Sequence, residues 1–137
     1  MTEIPDLEKV ASAWVRDRLG VRVVGKPPAD TAAPWVQVVQ LDAGQEPGSR
    51  VDHLVSFLVQ FDCYAGADGG QPEANGLGRL VRATLQELGG VRDDTVISAV
   101  RVVGDARIPD ETFEPARERR VLTMAIWAHR AHDAVPA

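Results

Sequence analysis

Between Val51 and Tyr64 the chain reads Val-Asp-His-Leu-Val-Ser-Phe-Leu-Val-Gln-Phe-Asp-Cys-Tyr. Alternate positions Val51, His53, Val55, Phe57, Val59, Phe61 and Cys63 form one row, apolar except for His53. The other row, Asp52, Leu54, Ser56, Leu58, Gln60, Asp62 and Tyr64, is mixed. Side chains of an extended chain alternate sides, so this pattern is that of a strand with one face on a core and the other partly covered. β-branched and aromatic residues favour the pleated backbone, and neither Gly nor Pro interrupts the run. It predicts a long central strand, well beyond the usual length of about five or six residues.

The pattern changes to a helical period on either side. Leu7, Val10, Ala11, Trp14, Val15 and Leu19 fall on one stripe, which predicts a helix over 5–20, with Asp6 and Glu8 at its positive end and Gly20 closing it. Leu77, Leu80, Val81, Thr84, Leu85 and Leu88 make the stripe of a second helix, from Pro72 to about Leu88, ended by Gly89-Gly90. Val21–Val24 reads as a short edge strand and Trp35–Asp42 as a clear one, its alternation slipping at Val38-Val39. That slip marks either a bulge or a strand buried on both faces. Ala43–Arg50 is a polar loop leading into the central strand, and Val91–Asp94 a turn. Thr95–Val103 and Ala116–His129 are the remaining strands, joined by the acidic, Pro-interrupted loop Gly104–Pro115. The expected fold is α+β: one domain over 1–137, with a frayed tail over 131–137. Two helices pack on a mainly antiparallel sheet of about four strands, in the order α-β-β-α-β-β. No repeat of 20–50 residues is present.

Composition narrows the function classes. The 137 residues carry a net charge of −5, and the pI is near 5.1, against the basic stripe of a general nucleic-acid binder. One cysteine, Cys63, excludes an intrachain disulfide and suits a reducing compartment. No apolar run approaches the roughly 20 residues of a membrane span, and the first residues lack the pattern of a signal peptide.

Catalytic motifs are weak or missing. Gly76-Leu-Gly-Arg-Leu-Val81 begins like a dinucleotide fingerprint, but Val81 stands at the third glycine and no strand turn precedes it. His129 and His132 lack two further zinc ligands. His53 and Cys63 share a strand face but lie ten positions apart at about 3.3 Å per residue, and no motif gives Cys63 a base. Asp105, Asp110, Glu111 and Glu114 lack the order of a calcium loop. We expect no catalytic, cofactor or metal site. Arg117, Arg119 and Arg120, with Glu118 among them, follow that acidic loop as a basic cluster at a strand start. One reading is a solvated strand end with local ion pairs. The other makes Asp105, Asp110, Glu111, Glu114, Arg117, Arg119 and Arg120 subunit or partner contacts, acids of one copy meeting arginines of the next.

With Ser56–Ala65, the helix Glu73–Leu88 and Arg119–Ala128 in this order, the chain resembles the tail terminator proteins of long-tailed phages, especially those of actinobacterial hosts. The likeness spans roughly 4–130 and rests on pattern, so no single residue carries a role over from it. It implies a virion structural protein and not an enzyme, assembled in the host cytoplasm and found in the neck region of the tail. It implies a homo-oligomeric ring, commonly a hexamer, that caps the head-proximal end of the tail tube and stops polymerisation. Its partners would be other copies of itself, the major tail tube protein and a head-side connector or neck protein. DNA would pass through the lumen without specific binding, and no membrane is involved. The alternatives are another head–tail joining protein, or a small ligand-binding or enzymatic α+β domain. A gene position just upstream of the tail tube gene would select the first reading.

Overall fold

The computed structural model describes residues 6–41 and 55–130. The first helix, α1 (Leu7–Leu19), begins where the Asp6 carboxylate accepts the Lys9 N–H at 3.1 Å, a cap that stabilises a helix by about 1 kcal/mol. It ends at Gly20, whose left-handed backbone (φ 67°) lets its N–H reach Arg16 O at 2.8 Å. Then come β1 (Arg22–Val24), β2 (Trp35–Gln40), β3 (Val55–Tyr64), α2 (Gly70–Gln86), β4 (Gly90–Arg92), β5 (Thr95–Arg107) and β6 (Arg119–Arg130). All six strands form one sheet in the order β1-β2-β3-β6-β5-β4, curled into a half-barrel. β1 is parallel to β2 and every other neighbouring pair is antiparallel.

The apolar row of the central strand sets the register. Phe57, Val59 and Phe61 lie opposite Ile126, Met124 and Leu122 of β6, and Phe61 and Cys63 lie opposite Val38 and Val36 of β2. Opposed residues share a face, so these side chains make one apolar surface. Leu7, Ala11 and Val15 of α1 and Val81 and Leu85 of α2, with Leu88 just past its end, close over it. α1 lies towards β1 and β2, and α2 over β6, β3 and β5. Both helices therefore occupy one face of the sheet.

The expected sheet of about four strands and the order α-β-β-α-β-β are overturned: there are six strands, in the order α-β-β-β-α-β-β-β. The α+β character stands in broad terms. Of the two strands outside that order, β1 is the short edge strand expected over Val21–Val24, and β4 spans only three residues, too few for a period of two to show. Val91–Asp94, expected as a turn, is half strand. Gly90–Arg92 pairs with Thr95–Ile97 across a two-residue turn in which Asp93 takes a positive φ of 54°. Asp tolerates that conformation better than most residues.

Other boundaries moved as well. β5 continues past Val103 to Arg107, absorbing the start of the expected loop, and carries register shifts at Ile97/Ala99 and Val102/Gly104. β6 begins at Arg119 and not Ala116, and α2 begins at Gly70, ahead of Pro72. The slip at Val38-Val39 is no bulge: β2 pairs evenly with β3 from Trp35↔Tyr64 to Gln40↔Val59. Trp35 and Val36 are both buried, so that strand is covered on both faces at its start. Residues 51–54 of the expected central strand, the loop 43–50 and the tail with His132 lie outside the described residues.

Candidate functional site

The sheet face away from the helices is covered at one end by an arm, residues 108–118, which leaves β5 and folds back before β6. Here Trp35 opens β2, Tyr64 closes β3, and the two rings stack at 4.3 Å and 11°. Phe113 reaches from the arm to within 6.0 Å of both rings. The arm is pinned to itself by Asp110 N–H to Arg117 O (2.8 Å) and Arg117 N–H to Asp110 O (3.0 Å). Asp110 Oδ1 also accepts the Thr112 N–H (3.0 Å) and hydroxyl (2.6 Å).

Charged groups clasp this arm to the sheet. Tyr64 donates its hydroxyl to Asp110 Oδ2 at 2.7 Å. Arg119 lies between two carboxylates, with Nη1 at 3.8 Å from Asp62 Oδ2 and 3.9 Å from Asp110 Oδ2, and its Nε donates to Ile108 O at 2.8 Å. Arg117 Nη1 donates to Thr31 O at 2.6 Å, tying the arm to the β1–β2 connection, and its guanidinium sits 4.9 Å from the Phe113 ring. Arg107 holds Glu118 through two bonds, Nε to Oε1 (2.8 Å) and Nη2 to Oε2 (2.9 Å).

Burial pushes the Asp62 carboxyl above its ordinary range, against the pull of the Gln60 amide and Arg119. For Asp110 burial acts in the same sense, but bonds from Thr112 and Tyr64 and the Arg119 charge outweigh it and hold the group below the ordinary range. Tyr64 is pushed up to about 12, by burial and then by its bond to Asp110, so it remains a donor at neutral pH.

Asp105 lies elsewhere. It sits on the helix side of the sheet, in β5, and accepts Arg120 Nε at 2.6 Å and Arg82 Nη1 at 2.7 Å. Burial opposes its ionisation, yet the two arginines hold it below the ordinary carboxylate range. Arg120 Nη1 also reaches Asn75 Oδ1 at 3.4 Å, so this clamp joins α2 to the sheet. Adjacent residues of a strand point to opposite faces. Arg119 and Arg120 therefore serve different clusters. Gly78 is explained by the same clamp: a Cβ there would come within 2.7 Å of Arg120 Cγ.

Of the seven contact candidates, Asp110, Arg117 and Arg119 are brought together at the arm, and Asp105 and Arg120 pair on the opposite face. Their contacts lie within one chain. Glu111 and Glu114 stand exposed on the arm. Sequence reasoning missed Trp35, Asp62, Tyr64 and Phe113 as members of the site. Two signals were present: Phe113 is a lone aromatic in an acidic loop, and Asp62 is a charge inside a long apolar strand.

Chemistry elsewhere is sparse. Cys63 is wholly buried and burial raises its thiol pKa, which makes it a core residue. Gly76-Leu-Gly lies inside α2 and not in a phosphate loop. Among the described residues no three His, Cys, Asp or Glu side chains group so as to hold a metal ion. No described helix is long and apolar enough to cross a membrane. A cleft of about 240 Å³ opens between α1 and the β4–β5 turn, lined by Val10, Trp14, Asp17, Val91, Arg92 and neighbours. Trp14 sits against the guanidinium groups of Arg18 (3.8 Å) and Arg92 (4.0 Å), and its Nε1 donates to Thr84 O at 2.7 Å. Arg92 also caps the carbonyls after α2, with Nε to Leu88 O at 3.0 Å and Nη2 to Gly89 O at 2.9 Å. These partners make it a structural joint. Compared with protein-family models and with curated proteins, the chain matches none.

Proposed function

We propose that this protein is a tail terminator of a long-tailed phage, a structural component that forms a ring on the head-proximal end of the tail tube. The ring stops tube growth and offers its other side to a head-side connector. One observation carries the reading. The three stretches behind the resemblance, Ser56–Ala65, Glu73–Leu88 and Arg119–Ala128, form a single unit. β3 pairs with β6 without a register break from Val55↔Ala128 to Tyr64↔Arg119, and α2 packs across both strands. A pattern likeness scattered over unrelated corners of a fold would mean little; one that coincides with the centre of the sheet describes an architecture. The net charge of −5 suits a ring through which DNA slides without sticking.

Electron microscopy tests the reading directly. The purified protein is mixed with tail tubes assembled from the tube protein of the same genome. Rings alone, or a ring at one end of each tube together with arrested growth, are expected. Protein that stays monomeric and never binds a tube overturns the proposal. Binding confined to the head-side connector moves the protein to the neck.

A further inference from the structure

The sheet ends unevenly. β4 covers the outer edge of β5 only along Thr95–Ile97, while β5 continues to Arg107. Among the described residues, Ser98–Arg107 has β6 on one side and no strand on the other. Alternate N–H and C=O groups of such a stretch face outward and bond water or another strand. Val103, which falls in the register shift between Val102 and Gly104, is 57% exposed near the middle of this edge. Bulges twist an edge away from indiscriminate pairing, so a partner strand must match that twist.

At the opposite end of the sheet β1 is the outer strand. Polarity alternates from β2 through β3 and β6 to β5, and β1 is parallel to β2. β5 therefore runs opposite to β1. A second copy set beside the first by a rotation that keeps the strands upright offers its β1 edge to β5 in the antiparallel sense. Two unlike edges of opposite polarity are what a head-to-tail ring joined by antiparallel strands requires. We infer that the Ser98–Arg107 edge of one copy pairs with the β1 edge of a second copy, so that the ring closes by continuing the sheet across each joint. This rests on the ring reading above and names its joint.

Hydrogen exchange read by mass spectrometry decides it, on the full chain free in solution and seated on tail tubes. Outward-facing amides of Arg22–Val24, and those within Ser98–Arg107 that come to lie opposite them, exchange fast in the free chain, and on assembly slow by about tenfold or more. A ring whose exchange at both edges is unchanged overturns the joint and leaves the ring reading standing. A chain that forms no ring under any condition overturns that reading, and the joint with it. Val103→Lys sets a charge on the edge at an exposed position; it should leave unfolding of the free chain unchanged and raise the concentration needed for assembly by about tenfold or more. Val103→Cys tests the two-fold alternative. A disulfide-linked dimer that goes no further would mean that two β5 edges pair with each other, which overturns the inference.

Discussion

At the residue scale, the arm depends on a few directed bonds. Tyr64→Phe keeps the stack on Trp35 and removes only the hydroxyl that bonds Asp110. Hydrogen bonds to charged groups are worth about 1.5–3 kcal/mol, and Asp110 retains Thr112 and Arg119 nearby, so a loss of about 1–2 kcal/mol is expected in denaturant unfolding. No measurable change would mean that the clasp carries no stability. The carboxylates also set a pH dependence. Asp105 and Asp110 have folded pKa values below the ordinary 3.8, so they contribute stability that is present above that value and lost as pH falls through the folded pKa. Asp62 is raised, so it works the other way, favouring the fold as pH falls through its own folded pKa. The double variant Asp105→Asn, Asp110→Asn should flatten the acid limb of stability against pH, whereas Asp62→Asn should steepen it. Parallel curves for all three proteins would contradict the assignment.

At the element scale, the two glycines of α2 separate helix propensity from packing. A Cβ at Gly76 would meet nothing within 4 Å. Gly76→Ala should therefore stabilise by up to about 1 kcal/mol, the helical advantage of Ala over Gly. A Cβ at Gly78 would lie 2.7 Å from Arg120 Cγ and 3.1 Å from Arg120 Cβ. Those atoms are the root of the side chain and cannot swing aside without moving β6 or breaking the bonds from Arg120 to Asp105 and Asn75. Gly78→Ala should destabilise despite the same gain in propensity. Thermal unfolding of the pair checks the opposite signs. From sequence, Gly76 and Gly78 looked alike, because the cause of their difference lies on a strand some forty residues further along.

At the scale of the whole molecule, the arginine cluster changes meaning. Arg117, Arg119 and Arg120 hold the arm and α2 to the sheet, so reversing all three to Glu would place like charges against Asp62, Asp110 and Asp105. The triple variant should unfold or lose the arm, and it cannot report on contacts between copies. Glu111 and Glu114 can, because both stand exposed. Glu111→Lys with Glu114→Lys should leave stability within about 0.5 kcal/mol, as exposed substitutions do. Under the ring reading, capping of tail tubes by this variant should weaken and depend more on salt. Unaltered capping at low and high salt would show that the arm tip faces solvent.

Much of the architecture was legible in the residues alone, because burial of an apolar face imposes a period. The rows of β3, the stripe of α1 with Asp6 at its positive end and Gly20 closing it, and the stripe of α2 all follow from local pattern. What needed the tertiary structure lacks that period. The three-residue strand Gly90–Arg92 exists because a longer neighbour presents an edge to it. The extension of β5 through Gly104 and Asp105 exists because Arg82 and Arg120 satisfy a charge that would otherwise favour a loop. The arm site joins Trp35, Asp62, Tyr64, Asp110, Phe113 and Arg119, which are far apart along the chain and meet only after β2, β3 and β6 are paired in register. Local sequence determined which segments turn a face inward. Only the folded sheet decided which charges meet across that distance, since their attraction depends on positions the backbone takes up last.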